Sequence, residues 1–354
     1  MVPALEAAGA IVTVATTDKG ADDSDGDFLV NTDVRVFRSA RPTALNWSPE
    51  LNASISEMIS KVDIVHIHSI HTMTSTVAMR VARGLGVPYV LQPHGALDSY
   101  HLNQGHIKKR IFTRLLDSRN LRDLSGVIYS SQRESRFGRI FLPNTPDFEV
   151  ALGVDSKLFD VSRLHPSGTA PSVLFLGRVT EKKRLDLLIH AFNSPRVRKF
   201  GAKLIVAGPI DERLRYDPVL LARELGLSEA VTFLGKVDAK ARERLLAESS
   251  IFALPSEDES FGVAAAEAVA SGCPTLLSAN VGIADSLASI GGTQTSELNE
   301  DAIARAIETL LRDPGESAAM AERGASFARK NYTWSSAAAQ TLGAYDSVLG
   351  RPND

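Results

Sequence analysis

The chain is poor in cysteine and aromatic residues and has no large excess of either charge. Cys273 is the single cysteine among 354 residues, which excludes an intramolecular disulfide framework and is typical of a reducing compartment. The 39 lysines and arginines nearly balance the 42 aspartates and glutamates, and the net charge of −3 argues against general nucleic-acid binding. No nucleic acid is therefore expected as a partner.

Long hydrophobic runs and several common functional motifs are also missing. No apolar stretch approaches the roughly 20 residues of a membrane-spanning helix, and the N-terminus does not resemble a signal peptide, so a cytoplasmic protein is expected. No Walker A motif, serine-hydrolase elbow or Rossmann glycine fingerprint occurs. The absence of those glycines counts against a nicotinamide-dependent enzyme.

The pattern that is present indicates an α/β protein. The length suits about two domains, and the proline- and glycine-containing segment at 160–172 predicts a linker between them. Strands that are apolar almost throughout alternate with helical patterns on both sides of it, which predicts parallel sheets covered on both faces. The predicted fold class is α/β, with two doubly wound, Rossmann-like domains facing a cleft.

Ten segments carry the strand signal, and ligands of such sheets bind beyond the carboxyl ends of the strands. The predicted strands are 11–17, 34–38, 63–68, 89–93, 126–131, 173–176, 204–207, 231–234, 251–254 and 275–278. An amphipathic terminal helix is predicted at 334–349, with apolar positions at Ala337, Leu342, Tyr345 and Leu349.

The segment PSEDESFGVAAAEAVASGCP, residues 255–274, combines two carboxylates with the start of a short helix. Its alanines favour a helix that Gly272 ends. Glu259 lies in the loop before this helix, and Glu267 within it leans back toward the same helix end. Backbone N–H groups at that end attract phosphate. The segment therefore suits a ligand that is part sugar and part diphosphate.

A basic strand-to-helix turn follows the strand at 173–176. Arg178 and Lys183 lie in this turn, where cations can neutralise a diphosphate. A basic turn by itself is more often a solvated loop, but its place at a strand's carboxyl end matches that of the acidic segment. The predicted rim also includes the turns after the next two strands, with Gly208, Gly235 and Lys236.

Histidines follow two strands of the first half. HIHSIH at 66–71 could supply zinc ligands, but no Cys, Asp or Glu nearby completes a set, so packed or cleft-lining histidines are favoured. His94 directly follows a strand, and Gly95 permits a sharp turn that leaves the His94 ring free to face the cleft, although a structural role stays open. The Asp-rich segment 21–27 lacks EF-hand spacing. No metal site is predicted.

Residues 105–123 predict a basic amphipathic helix. Ile107, Ile111 and Leu115 recur every four residues and form an apolar face. A solvated basic face is the plain interpretation. Contact with anionic lipid head groups or an anionic acceptor is the sharper one, and would place the protein peripherally at the inner face of a membrane. The cations are Lys108, Lys109, Arg110, Arg114, Arg119 and Arg122.

Together these motifs resemble the retaining, nucleotide-sugar-dependent glycosyltransferases of family 4, which have the GT-B fold. The resemblance covers nearly the whole chain. It rests on the E-x7-E element, the basic turn GRVTEKKRLDLLIHAF, and the HIH and PHG signatures. The last segment, TWSSAAAQTLGAYDSVL, is similar to the family's terminal helix, which crosses back toward the first domain. This resemblance implies an acceptor-side domain at 1–160, a nucleotide-sugar domain at 161–333 and a terminal helix at 334–354.

The resemblance implies a hexosyltransferase, EC 2.4, that uses a UDP- or GDP-linked sugar as substrate and no separate cofactor. The acceptor would be a sugar, a lipid-linked molecule or a polysaccharide precursor. Front-face attack, with the leaving phosphate drawing off the proton, would need neither a protein nucleophile nor a metal. The implied catalytic residues are Arg178, Lys183, Glu259 and His94. The implied donor-binding residues are Glu267, Phe261, Gly262, Ser260, Gly177, Gly208, Gly235 and Lys236.

Three departures from the family pattern keep other interpretations open. Lys182 stands where Glu is usual, 151–155 replaces Pro-Asn-Gly-Val-Asp, and the family's first strand and Gly-rich acceptor loop are missing before Met1. Such a loss would expose two unpaired strand edges, so a misplaced start is expected. The alternatives are a truncated, impaired protein that only binds nucleotide sugar, and a nucleotide-sugar epimerase, a class without the combination of the basic turn and the E-x7-E element.

Overall fold

A computed structural model of the chain describes residues 1–19, 32–41, 46–97, 111–163 and 170–351. The Asp-rich segment 21–27, residues 105–110 and residues 164–169 of the predicted linker lie outside this description. The chain divides into two compact units. Unit 1 consists of Met1–Ala151 and Trp334–Asp354, and unit 2 is Leu152–Thr333. Both are built on parallel strands, which confirms the predicted α/β class.

Unit 1 carries two parallel sheets in its described part. One pairs β1 (Thr13–Thr17) with β2 (Asp33–Phe37). The other has the order β3-β4-β5-β6, with β3 at Val65–His68, β4 at Tyr89–Gln92, β5 at Gly126–Tyr129 and β6 at Asp147–Glu149. Among the described strands, β1 and β3 each pair on one side only. The helices are α1 (Val2–Ala7), α2 (Pro49–Ile59), α3 (Met73–Leu85), α4 (Ser118–Arg122) and α5 (Gln132–Phe141).

Helix α2 shows how local sequence builds the core of unit 1. The Ser48 hydroxyl accepts a hydrogen bond from the Leu51 N–H, and Pro49 occupies the first helical turn, where its missing N–H costs nothing. The apolar positions recur every four residues, so one face is buried in the core, mainly against α3. The buried residues on this face are Leu51, Ile55 and Ile59. Burying each of these aliphatic side chains stabilises the fold by about 1.5–3 kcal/mol relative to leaving it exposed.

The predicted basic helix at 105–123 is irregular in its described part. Thr113–Asp117 forms a π-helix, and α4 follows it. Because a π-helix advances the chain by a different angle per residue, the four-residue apolar repeat does not continue into a packed face. Ile111 and Leu115 are 53% and 74% exposed, whereas Asp117 and Asn120 are buried. The expected apolar face therefore points to solvent.

Unit 2 carries six parallel strands in the order β12-β11-β10-β7-β8-β9 in its described part. They are β7 (Ser172–Leu176), β8 (Lys203–Ala207), β9 (Val231–Gly235), β10 (Ile251–Leu254), β11 (Thr275–Ser278) and β12 (Gln294–Ser296). The order reverses between the neighbours β7 and β10. The carboxyl ends of those two strands are therefore the place where a doubly wound sheet binds its ligand.

The helices of unit 2 alternate with these strands. They are α6 (Leu185–Asn193), α7 (Pro195–Arg198), α8 (Pro218–Glu224), α9 (Ala239–Glu248), α10 (Val263–Ala270), α11 (Ala284–Ser289), α12 (Glu300–Arg312) and α13 (Pro314–Asn331). Helix α10 is the helix predicted in the acidic segment. It ends before Gly272, whose φ of +68° and N–H bond to the Val269 carbonyl close the last turn.

The terminal helix α14 (Trp334–Leu349) returns to unit 1 and packs on β4 and β5. Only one of its four predicted apolar positions, Ala337, is buried; the packed face consists of small residues, Ala337, Ala338, Thr341 and Ala344. Small side chains let the helix approach the sheet closely. Thr341 belongs there because its hydroxyl donates to the Ala337 carbonyl. Among the described residues, no helix is long and apolar enough to cross a membrane.

Candidate active site

The residues that follow β7 and β10 meet at the point where the strand order of unit 2 reverses. The turn after β7 carries Arg178 and Lys183, and the loop after β10 carries Glu259. The two strands are direct neighbours, with Phe252 opposite Leu174. Lys183 and Glu259, which are 76 positions apart in sequence, are therefore brought to one edge of the sheet.

An ion pair between Lys183 and Glu259 occupies this edge. The Lys183 Nζ lies 2.8 Å from Oε1 of Glu259, and both side chains are only 14% exposed. Lys182 approaches the same oxygen at 4.0 Å. Burial by itself would raise the pKa of Glu259, but the charges of Lys183 and Lys182 outweigh it and hold this pKa below its ordinary value. Glu259 is thus an ionised acceptor beside two cations.

Backbone hydrogen bonds fix the loop that carries Glu259. The Lys182 carbonyl accepts from the Glu257 N–H at 2.6 Å and from the Ser256 hydroxyl at 3.0 Å, which fastens the loop to the basic turn. On its other side, the Glu259 N–H donates to the Asn280 carbonyl, and the Gly282 N–H donates to the Glu259 carbonyl. Both edges of the loop are held, so the carboxylate has a defined position.

Two glycines make close backbone approaches at this edge. A Cβ at Gly208, where φ is +143°, would lie 2.1 Å from the Gly177 carbonyl oxygen. A Cβ at Gly262, where φ is +94°, would lie 2.6 Å from Cγ1 of Val281. Neither position can take a side chain without moving its neighbours. The turns after β7 and β8 are thereby packed together, and the start of α10 packs on the loop after β11.

The remaining predicted rim residues lie around these glycines. Gly235 ends β9, and its carbonyl accepts the Gly208 N–H at 2.7 Å, which links the ends of β8 and β9. Lys236 follows on the exposed side, and Ser260 is half-buried in the loop before α10. Gly177 has a φ of +131° and lies against the Lys183 side chain. The turns after β7, β8 and β9 are thus joined through Gly177, Gly208 and Gly235.

Arg178 is much more exposed than Lys183. Its side chain is 65% exposed, and its guanidinium lies 3.8 Å from the Asp211 carboxylate. Asp211 also binds Arg213 and keeps a pKa below its ordinary value, mainly through that hydrogen bond. At this distance and exposure the pair holds Arg178 only weakly. The guanidinium is therefore available to an incoming anion.

Glu267 has a different partner from Glu259. It is buried in α10, and its Oε1 lies 2.8 Å from Nη1 of Arg242 on α9. Burial raises the pKa of Glu267, Arg242 opposes the shift, and Asp155 adds to it. Next to it, Gly262 caps α10 without a side-chain hydrogen bond, so the helix end presents backbone donors. The Phe261 ring packs on Tyr332, which leaves only its backbone for a ligand.

In unit 1, the predicted residue His94 lies at the carboxyl end of β4. Its φ is +52° and that of Gly95 is +78°, so the turn is strained at His94. The buried carboxylate of Glu134 accepts hydrogen bonds from the Gly95 N–H, the Ser130 N–H and the Ser130 hydroxyl at 2.5–2.7 Å. These charge-assisted bonds offset the strain and define where His94 lies.

Sequence reasoning missed Arg242, Glu134 and Asp211. Arg242 and Glu134 lie on helices with many charged residues, and nothing local marks which charges turn inward. One weak signal was present: Glu134 follows Ser131 in a capping pattern, and the Ser131 hydroxyl indeed accepts the Glu134 N–H. Within the described ranges, no cluster of three or more His, Cys, Asp or Glu side chains is arranged to hold a metal ion.

Two family models match the chain, one for each half. The glycosyl transferases group 1 family matches residues 159–327, and the glycosyl transferase 4-like domain matches residues 1–145. The chain is 25% identical over 335 residues to an uncharacterised glycosyltransferase of Methanocaldococcus jannaschii, a match that covers 89% of this chain and 84% of that protein. It is 28% identical over 308 residues to a D-inositol 3-phosphate glycosyltransferase of Frankia alni, covering 81% and 74%.

A mannosyltransferase of Mycobacterium tuberculosis, GDP-mannose-dependent and acting on phosphatidylinositol monomannoside, is 28% identical over 229 residues, or 60% of this chain and 58% of that protein.

Solved structures share the fold. Sucrose-phosphate synthase from Thermosynechococcus elongatus superimposes with a TM-score of 0.73 at 20% identity, covering 98% of this chain and 91% of that one. An Anabaena protein in complex with UDP and glucose gives 0.68 at 19% identity, covering 89% and 86%. With one family matched by each half and the architecture shared with these structures, the chain is a glycosyltransferase of the group 1, family 4-like type and has the GT-B fold.

Proposed function

We propose that this glycosyltransferase moves a sugar from a UDP- or GDP-linked donor to an acceptor hydroxyl with retention of anomeric configuration. The observation that carries the proposal is the Lys183–Glu259 pair at the strand-order reversal of unit 2. A cation and an ionised carboxylate fixed 2.8 Å apart match a ligand that carries phosphate oxygens next to hydroxyl groups. Relatives named for GDP-mannose and a neighbour solved with UDP support the same donor class.

Charge development at the leaving group explains the cations. As the bond between the sugar and the diphosphate breaks, negative charge accumulates on the phosphate oxygens. Lys183, already fixed in a largely buried position, and Arg178, only weakly held by Asp211, supply positive charge there. The backbone donors at the start of α10, near Gly262, add partial positive charge.

The carboxylates act as hydroxyl grips in this proposal. Glu259 accepts hydrogen bonds from the donor sugar, and its lowered pKa keeps it an acceptor at neutral pH. Glu267 accepts from the ribose hydroxyls of the nucleotide. In retaining transfer by front-face attack, the leaving phosphate takes the proton of the acceptor hydroxyl. No protein nucleophile or metal ion then enters the scheme, and His94 of unit 1 contributes next to the reacting sugar.

An acceptor-dependence assay tests this function. The purified chain is incubated with UDP- and GDP-linked sugars, with and without a panel of sugar and lipid-linked acceptors, and release of nucleoside diphosphate is measured. We expect release only when an acceptor is present, and an anomeric NMR signal in the product that retains the donor's configuration. Conversion of the donor to an epimer without acceptor would instead establish an epimerase. Binding without turnover for every acceptor would leave a nucleotide-sugar-binding protein.

We further propose that the acceptor belongs to polysaccharide or glycolipid biosynthesis and that the protein meets it at an anionic membrane surface. The described end of the basic segment carries two aliphatic side chains in water, Ile111 and Leu115. The exposed cations Arg114, Arg119 and Arg122 lie near them in sequence. Exposed aliphatic side chains next to cations favour the interface of an anionic bilayer.

Vesicle flotation tests the membrane contact. Binding to vesicles that contain phosphatidylglycerol is expected, and raising the salt concentration should weaken it because the Debye length shortens. The double substitution Ile111→Ser and Leu115→Ser should reduce binding further. Ile210→Ser, which changes an exposed isoleucine of unit 2, is the matched control. Equal binding to neutral and anionic vesicles, or none to either, would exclude this contact.

A further inference from the structure

Three imidazole rings and a phenol form one continuous chain of contacts at the carboxyl ends of β3 and β4. The rings of His66 and His68 stack with centroids 4.3 Å apart, and those of His68 and His94 stack at 5.1 Å. Nδ1 of His68 lies 2.8 Å from Nε2 of His94. At the inner end, Nδ1 of His66 lies 2.7 Å from the Tyr345 hydroxyl of α14. Only His94 of this chain has a role in the proposed function.

The short nitrogen–nitrogen contact restricts protonation. A hydrogen bond of 2.8 Å needs an N–H on one nitrogen and a lone pair on the other. If His68 and His94 were both imidazolium ions, two N–H groups would point at each other across this distance. The pair therefore holds at most one positive charge, and the tautomer of one ring dictates that of the other.

We propose that His68 is the positioning residue for His94. By sharing one proton with Nε2 of His94, it selects a single tautomer and ring orientation and limits the pair to one positive charge. The β3 strand fixes His68, and the Glu134 carboxylate fixes the backbone of the turn beyond His94. His94 is thus held from two independent sides, its ring by His68 and its turn by Glu134.

Most groups around the pair lower the pKa values of these histidines, and the Glu134 carboxylate opposes them. Desolvation by the surrounding protein lowers the pKa of His94, and the negative charge of Glu134 on α5 partly offsets this shift. Desolvation, together with the charges of His94 and the Met1 α-amino group, lowers the pKa of His68 to about 4. Burial, with the two neighbouring imidazoles, lowers the pKa of His66 well below its ordinary value. Tyr345 faces His66 with a raised pKa, through burial, and stays a neutral phenol.

The catalytic consequence rests on the proposed function. In glycosyl transfer, positive charge develops on the sugar carbon as the leaving group departs. An imidazolium beside that carbon would oppose this charge, so a neutral His94 in one tautomer favours the reaction. Because the pKa of His94 is lowered, the neutral form persists through neutral pH and is lost as the pH falls through that lowered pKa. Turnover should fall along the same limb.

Histidine NMR on the full chain tests the proton sharing without any activity. In the 15N-labelled wild type at pH 7.5, one of the two facing nitrogens should carry a proton while the other has none. Between pH 8 and pH 5 the pair should take up no more than one proton, because the 2.8 Å contact leaves no room for two facing N–H groups. Independent titration of both rings near the ordinary histidine pKa of about 6.5 would overturn the proposal.

Two variants separate a positioning role from simple packing. His68→Phe keeps a ring in the stack without its nitrogens, and His94 should then exchange between tautomers, with a lower kcat and an unchanged donor KM. His68→Asn places a hydrogen-bonding group near the former Nδ1, so it should restore a single His94 tautomer and part of the lost turnover. A fixed tautomer and wild-type kcat in His68→Phe would refute the positioning role. If NMR shows the shared proton but neither the wild type nor any variant transfers sugar, the proposed function fails and the proton sharing between His68 and His94 stands.

Discussion

Replacing Lys183 with methionine is expected to lower kcat for sugar transfer by about 10²- to 10³-fold, the usual loss when one fixed donor to a developing anion is removed. Methionine is one atom shorter than lysine and keeps most of its apolar stem but removes the charge. Two effects combine, because the leaving diphosphate loses its most rigid cation and Glu259 loses its nearest partner, which shifts its pKa upward. Steady-state kinetics with varied donor concentration measure the effect.

Controls separate this chemistry from stability. Lys203→Met removes a lysine at the opposite end of the same sheet, where Nζ donates to the Glu229 carbonyl, and should leave kcat unchanged. Breaking one partner of a buried ion pair costs about 3–5 kcal/mol. The double variant Lys183→Met with Glu259→Gln removes both charges and should recover thermal stability without recovering turnover.

Arg178→Ala should also lower kcat, because the leaving diphosphate loses its second cation. A kcat of Lys183→Met within twofold of wild type would exclude this assignment.

Replacing Glu267 with alanine is expected to raise the donor KM by about 10- to 100-fold, since a hydrogen bond to a charged group contributes roughly 1.5–3 kcal/mol. Glu267 grips the ribose in the bound donor and in the transition state alike, so kcat should change much less than KM. Arg242 would lose its partner in this variant. Donor titrations at saturating acceptor, with a parallel binding measurement, check the prediction.

Glu308→Gln provides the matched control for this prediction. Glu308 is likewise a nearly buried carboxylate, and it pairs with Arg196, Lys199 and Arg312 away from the strand ends. Its loss should lower thermal stability but leave the donor KM at the wild-type value. If Glu308→Gln and Glu267→Ala raised KM equally, the effect would reflect general loosening of unit 2 and the ribose role would be refuted.

The regular elements of the fold were accessible to sequence reasoning because their signals are local. The run Ile251–Leu254 is entirely apolar, and the strand occupies those residues. The alanines of 263–270 and the stop at Gly272 similarly define α10. In contrast, the repeat of Ile111 and Leu115 predicted a regular helix. The structure has a π-helix at Thr113–Asp117 beside the buried Asp117 and Asn120, and no spacing of apolar residues reveals it.

The candidate site divides in the same way. Which residues follow a strand is evident from the chain, and the Lys183 and Glu259 turns were predicted to share a rim on that ground. Which side chains face each other is set by strand order. Arg242 reaches Glu267 only because α9 and α10 pack in the folded unit. His68 reaches His94 because β3 and β4 are neighbours in register. Such pairs have no signature at the level of composition or local spacing.

Calorimetric titration of the chain with a panel of UDP- and GDP-linked sugars tests the central claim most directly. One donor class should bind with one site per chain, and the free nucleoside diphosphate of that class should compete with it. The Lys183→Met and Glu267→Ala variants should bind the donor more weakly, whereas Lys203→Met should bind it as the wild type does. Failure of every nucleotide sugar and nucleoside diphosphate to bind, or equal binding by all three variants, would contradict the central claim.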